Sequence, residues 1–78
     1  MSPIQRTKFE VAPSAAGWIV TRHGFGRDST HPTKEAALQR AVTLARDRQP
    51  SELLIRRQDG SVQDVRNYGS DPRRMLKL

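Results

Sequence analysis

The chain has 78 residues with 14 lysines and arginines against 8 acidic residues, a formal net charge of +6, and no cysteine. This composition excludes disulfides and thiolate metal sites, and a chain this short forms one small domain that buries only about 60% of its unfolded surface. No apolar run approaches the roughly 20 residues of a membrane span, and the N-terminal residues lack the apolar core of a signal peptide. We therefore expect a cytoplasmic protein.

The first third of the chain predicts a β-hairpin. Residues 1–6 form a loose lead-in, after which Thr7 to Val11 alternates apolar and polar residues with the period of a half-buried strand. Small and turn-forming residues follow over 12–17. A second strand is predicted from Trp18 to Arg22, which is rich in aromatic and β-branched residues.

A polar loop over residues 24–32 is predicted to lead into a helix. Thr33 is a good N-cap, and Glu35 in the first turn complements the helix dipole. Apolar residues then recur at helical spacing from Lys34 to about Arg48, and Pro50 stops the helix.

The second hairpin turns at Asp59-Gly60, between strands over 52–57 and from Ser61 onward. Simple two-residue pairing sets Arg57 opposite Val62 and Leu54 opposite Val65. Val62 then shares a face with Leu53 and Ile55, whereas Leu54 and Val65 lie on the other face. Either a bulge resets this register or both faces carry apolar groups, and the second arrangement favours a dimer.

The predicted fold is α+β in the order ββαββ, with one helix packed on one face of a four-stranded antiparallel sheet. The domain spans residues 7–70, and residues 71–78 form a flexible basic tail. The predicted core consists of Phe9, Val11, Trp18, Val20, Ala37, Ala41, Leu44, Ala45, Ile55 and Val62.

A family resemblance runs through about residues 8–72. It rests on Gly17-Trp18-Ile-Val20, on Thr33 with Glu35-Ala36 and the Ala41…Leu44-Ala45-Arg46 helix, on Ser51-Glu-Leu-Leu-Ile55, and on Asp59-Gly60 and Tyr68-Gly69-Ser-Asp-Pro72. In this order and spacing, the motifs resemble a family of short bacterial proteins known as domain of unknown function 2188. The resemblance implies the fold and a bacterial, cytoplasmic origin, and it supplies no catalytic residue.

The sequence assigns no catalytic residue, metal ligand or cofactor. His23, Asp28 and His31 have the residue types of a metal site, but their loop supplies nothing to close a coordination shell. Ser29, Thr30 and His31 are adjacent in sequence, which does not make a catalytic triad. We therefore expect a non-enzymatic accessory protein.

The basic surplus predicts nucleic-acid binding, to DNA or RNA, through a basic sheet face. Strand arginines are expected to project from the open face, with further basic residues extending the phosphate contacts. Phe25 either folds back onto the core or stacks on a base. The candidate binding residues are Lys8, Arg22, Arg27, Arg56, Arg57, Arg66, Arg73 and Arg74.

The alternative is a protein-interaction module with no nucleic-acid role. An open sheet face and free strand edges favour pairing with a second copy of the chain or with an unidentified protein. Arginines at the rim of such an interface would pair with Glu10, Glu52 and Asp64. No membrane partner is expected.

Overall fold

A computed structural model describes residues 6–69 of the chain. The predicted lead-in, apart from Arg6, and the predicted tail over 71–78 lie outside these residues. The described part is an α+β domain with the order βββαββ, as predicted for class but with one more strand. Its elements are β1 Thr7–Ser14, β2 Gly17–Arg22, β3 Gly26–His31, α1 Lys34–Asp47, β4 Ser51–Arg56 and β5 Val62–Tyr68.

The five strands form one mixed sheet in the order β3-β2-β1-β4-β5. The prediction of a four-stranded antiparallel sheet was wrong in both number and direction. β1 pairs antiparallel with β2 but parallel with β4, with Thr7 beside Ser51 and Val11 beside Ile55. The parallel pair is possible because α1 carries the chain back across the sheet before β4 begins.

The additional strand, β3, occupies residues predicted to be a polar loop. Its sequence contains no aliphatic residue, so hydrophobic alternation could not reveal it. It is an edge strand that pairs antiparallel with β2, with Trp18 opposite His31 and Val20 opposite Ser29. A polar edge strand is held by backbone pairing and discourages further strand addition.

The core lies between α1 and one face of the sheet. Alternate residues of the three central strands are buried there, and they pack against three alanines of the helix. Because alanine has a short side chain, the helix can lie close to the sheet. The buried hydrophobic residues are Phe9, Val11, Trp18, Val20, Ala37, Ala41, Ala45, Leu53 and Ile55.

One residue of the predicted core, Val62, was placed wrongly, Leu44 lies at the margin of the core, and the buried Leu53 was omitted. Leu44 is only partly buried at the margin of the cluster, whereas Leu53 is fully buried. Val62 is 47% exposed because it pairs with Arg56 and points away from the helix. The remaining predictions for the core are confirmed.

The helix begins and ends close to the predicted residues. The Thr33 hydroxyl accepts a hydrogen bond from the Ala36 N–H at 3.2 Å, which caps the first turn. The Arg48 N–H donates to the carbonyls of Leu44 and Ala45 at the other end. The buried Ser51 hydroxyl also donates to the Ala45 carbonyl at 2.5 Å, joining the helix end to the start of β4.

The β4–β5 hairpin contains both features that the sequence left open. Leu54 lies opposite Val65, as simple pairing predicts, but the register shifts after Ile55 and sets Val62 opposite Arg56 rather than Arg57. A bulge of this kind sends the following side chains to the other face. Val62 therefore joins Leu54 and Val65 on the open face, so both faces of the hairpin carry apolar groups.

Within residues 6–69, the structure contains no helix with the length and apolar character of a bilayer span. The helix α1 has 14 residues, fewer than the roughly 20 that a span requires.

Candidate nucleic-acid interface

The structure describes six of the eight predicted binding residues and distributes them over several surfaces. Strand pairing and the alternation of side chains assign each strand residue to the helix-covered face or to the open face. Lys8, Arg27 and Arg56 lie on the open face, Arg22 and Arg66 on the helix-covered face, and Arg57 beside the β4–β5 turn. Arg73 and Arg74 lie outside the described residues.

The open face has mixed charge and does not form a continuous basic platform. The Arg56 guanidinium makes an ion pair with Glu10, with Nε 2.8 Å from Oε2, and it also donates to the Gly60 carbonyl at 2.9 Å. Lys8 has Glu52 as its neighbour across the β1–β4 pair. Carboxylates thus alternate with cations over the centre of this face, which weakens its attraction for a polyanion.

Arg66 is also engaged within the protein. It pairs with the buried Leu53 and so points to the helix-covered side of β5. Its Nε lies 3.3 Å from an oxygen of Asp64. Hydrogen bonding to Tyr68 and to Asp64 raises the pKa of this guanidinium above its ordinary value. The charge of Arg66 is therefore partly neutralised by a neighbour.

Cations gather at one end of the sheet, in a surface that we call the basic corner and define by Arg6, Lys8, Arg22, His23 and Phe25. Together with Thr7, these residues line an open recess of about 590 Å³. The start of β1 supplies Arg6 and Lys8, and the end of β2 supplies Arg22. The His23 N–H donates to the Lys8 carbonyl at 2.8 Å, which fixes the two segments side by side.

Within the described part of the chain, the charges of the basic corner are not neutralised by ion pairs. Among residues 6–69, ion pairs involve Arg40, Arg56 and Arg66 but none of the corner's cations. The described residues that line the recess include no carboxylate, although Glu10 and Glu52 line an adjoining smaller depression together with Lys8 and His23. This end of the molecule therefore presents a net positive potential to solvent.

The aromatic residue of the corner stands at the tip of the β2–β3 turn. The Phe25 N–H donates to the Arg22 carbonyl at 2.9 Å, closing a tight turn in which Gly24 has a φ of +86°. A positive φ at the third position of a turn requires glycine or a similar residue. The Phe25 side chain is 75% exposed, so the interpretation that it folds back onto the core is wrong.

Arg22 lies against one side of this exposed ring. Its guanidinium carbon is 3.9 Å from the centroid of Phe25, within the range of a cation–π contact. Its Nε atom is buried and makes no hydrogen bond with the described residues. Among the described residues, the Arg22 guanidinium therefore contacts the Phe25 ring and has no acidic partner.

Three of these five residues, Arg6, His23 and Phe25, are not among the predicted binding residues, although stacking on a base was one of the two interpretations of Phe25. Arg6 was placed in the lead-in, and His23 was considered only as a metal ligand. The position of Arg6, immediately before the predicted first strand and two residues from Lys8, is the sequence feature that could have indicated its role. The meeting of β1 with the end of β2 depends on tertiary pairing, for which the linear pattern carries no direct signal.

The polar side chains of β3 form a separate cluster. Arg40 of the helix donates to both carboxylate oxygens of Asp28, at 3.0 and 3.4 Å, and this hydrogen bonding lowers the pKa of Asp28. The Ser29 hydroxyl and Nε2 of His31 lie 2.8 Å apart. Arg40 and Asp28 thus form an ion pair between helix and sheet, next to the contact between Ser29 and His31.

His23 does not join the β3 cluster, since it lies in the basic corner. Within the described part of the chain, no group of three or more histidine, cysteine or acidic side chains has the proximity needed to hold a metal ion.

Comparison with known proteins gives a family but no characterised relative. No curated protein and no solved structure gives a significant match. The model of a family described as an uncharacterized protein conserved in bacteria matches residues 9–68, which include α1 and all five strands apart from the start of β1. The resemblance seen in the sequence is confirmed, and the chain belongs to the bacterial family DUF2188.

Proposed function

We propose that this protein binds nucleic acid through the basic corner. The observation that carries the proposal is the meeting of Arg6, Lys8 and Arg22 around an open recess with no carboxylate among its described lining residues. Phosphate contacts from such side chains supply most of the affinity of sequence-independent binding. The site differs from the basic sheet face expected from the sequence, because Arg56 and Arg66 are paired with carboxylates.

The proposal is tested with two double variants that have the same change in composition and charge. Lys8→Gln with Arg22→Gln removes two cations from the basic corner. Lys34→Gln with Arg57→Gln removes two cations from the other end of the sheet. Arg57 follows β4 there, and Lys34 Nζ lies 5.2 Å from the ring centroid of Trp18. None of the four side chains is in an ion pair among the described residues.

Binding is measured by fluorescence anisotropy of labelled oligonucleotides at several salt concentrations. We expect the corner variant to bind about tenfold or more weaker, with the slope of log K against log salt reduced by about one for each phosphate that is no longer bound. The control variant loses only the smaller contribution of long-range attraction. Equal losses of affinity in the two variants would mean that net charge, rather than the corner, governs binding.

A second candidate function is self-association through the open sheet face. Leu54, Val62 and Val65 lie side by side there, and Val62 and Val65 are 47% and 44% exposed. The face carries cations and carboxylates in similar number, so a second copy of it offers charge complementarity as well as apolar contact. Arg56 and Glu10 lie on this face beside the apolar group.

Sedimentation velocity over a range of concentrations tests this candidate. We expect a mass of two chains for the wild-type protein and of one chain for Val65→Arg, because an unpaired charge at a buried interface is costly. A single-chain mass for the wild-type protein at every concentration would refute self-association. Because Lys8 also lies on the open face, oligonucleotide binding by Val65→Arg shows whether self-association covers part of the basic corner.

A further inference from the structure

The exposed ring of Phe25 lies beside the cations of the basic corner, and its exposure needs a physical explanation. Burying a phenylalanine side chain contributes about 1.5–3 kcal/mol relative to leaving it exposed, yet Phe25 is 75% exposed. Glycines on both sides hold it at the turn tip, and Gly24 and Gly26 both have positive φ. The turn therefore presents the ring to solvent, where it adds little to the stability of the fold.

The two sides of the ring have different surroundings. Arg22 covers one side at 3.9 Å, and the exposure of the side chain leaves much of the remaining ring open. Arg6 and Lys8 line the same recess. This combination of an aromatic surface and adjacent cations is how proteins bind single-stranded nucleic acid, in which bases stack on rings and phosphates meet basic side chains.

Resting on the proposed function, we infer that Phe25 stacks on an unpaired base, so that the site takes single-stranded nucleic acid in preference to duplex. Bases in a duplex are already stacked on their neighbours and offer no free face. Every base has a π-face, so the contact is tolerant of sequence. Phosphates on either side of the stacked nucleotide are bound by Lys8, Arg6 and the Arg22 guanidinium.

Two substitutions at the same position separate stacking from bulk and apolarity. Phe25→Leu keeps an apolar side chain but removes the ring, and Phe25→Trp keeps a ring. Phe25→Trp is therefore the control for Phe25→Leu. Phe25 is exposed, so we expect both variants to fold, which circular dichroism verifies.

The probes are a labelled oligothymidylate of about 12 nucleotides, a strand of the same length with abasic sites, and a matched duplex. Because Phe25→Leu removes one base-stacking interaction, we expect this variant to bind oligothymidylate about 5- to 100-fold more weakly than the wild type. Phe25→Trp retains at least wild-type affinity, because it keeps an aromatic ring. On the abasic strand, Phe25→Leu and the wild type bind equally, and the duplex binds more weakly than the single strand.

The stacking assignment would be overturned if Phe25→Leu bound oligothymidylate as tightly as the wild type does. It would also be overturned if Phe25→Leu lost as much affinity for the abasic strand as for oligothymidylate, or if the wild type preferred the duplex. If Lys8→Gln with Arg22→Gln still weakens binding in that case, phosphate binding at the corner stands and only the stacking fails. If the wild-type protein binds none of the probes at physiological salt, both the inference and the proposed function fail.

Discussion

The turn between β1 and β2 offers a sharp test of the sheet, through the substitution Gly17→Ala. Gly17 has a φ of +126°, a conformation that side chains with a Cβ rarely adopt. A Cβ at this position would clash with the His31 carbonyl oxygen. Both the backbone conformation and the neighbouring strand therefore oppose any residue except glycine.

The cost can be estimated in two parts. Holding a residue in a sparsely populated backbone region costs about 1–3 kcal/mol. The contact with His31 adds to this because the obstacle is the backbone of β3, which must move for the methyl group to fit. A chain of this length has a free energy of unfolding of about 4–12 kcal/mol, so Gly17→Ala is expected to remove a large fraction of it.

Gly60→Ala is the matched control for this measurement. Gly60 also has a positive φ, +89°, but nothing lies within 4 Å of a Cβ built there. Thermal and urea unfolding followed by circular dichroism give both free energies. We expect Gly17→Ala to melt about 5–20 °C below the wild type, and well below Gly60→Ala. Equal destabilisation by the two substitutions would refute the proposed clash with β3.

Two further predictions concern contacts between the helix and the sheet. Ser51→Ala removes the buried hydroxyl that donates to the Ala45 carbonyl. It should lower the free energy of unfolding, measured in urea, by about 1–3 kcal/mol. If the exposed Ser61→Ala lowered this free energy equally, the role of the Ser51 hydroxyl would be contradicted. Arg40 lowers the pKa of Asp28 in the folded state, so the pair stabilises the protein above about pH 5 and loses this contribution as the pH falls through the folded-state pKa. The stability of Asp28→Asn, measured by urea unfolding from pH 7 to pH 3, should therefore fall less steeply than that of the wild type, and parallel curves would show that the ion pair has no net effect.

The elements with local chemical signals were predictable from the sequence. Thr33 begins the helix through a side-chain hydrogen bond, and the alternation of Phe9 and Val11 marks β1. These signals act within a few residues of the chain. The position of β4 beside β1 was not predictable in this way, because strand periodicity does not specify which strands become neighbours.

The candidate site was less predictable, for reasons that particular residues make clear. Lys8 and Arg22 were selected for their charge, but their meeting with Arg6 depends on how β1 and β2 pair. Arg56 and Arg66 were also selected for their charge, which Glu10 and Asp64 partly neutralise. The net charge of a sequence includes every cation equally, whereas in the folded chain a cation beside a carboxylate contributes less to the surface potential.

The strand order also divides the basic corner between regions of unequal local stability. β1 is the central strand, with paired neighbours on both sides, whereas Phe25 stands at the tip of the outer β2–β3 hairpin. Native-state hydrogen exchange typically finds edge segments opening at lower free energy than central strands. The edge strand β3 is therefore expected to open at lower free energy than β1 and β2, whose inward side chains lie in the core. In the proposed complex, Phe25, which directly precedes β3, can thus adjust to strands of different shape more readily than Lys8 and Arg22.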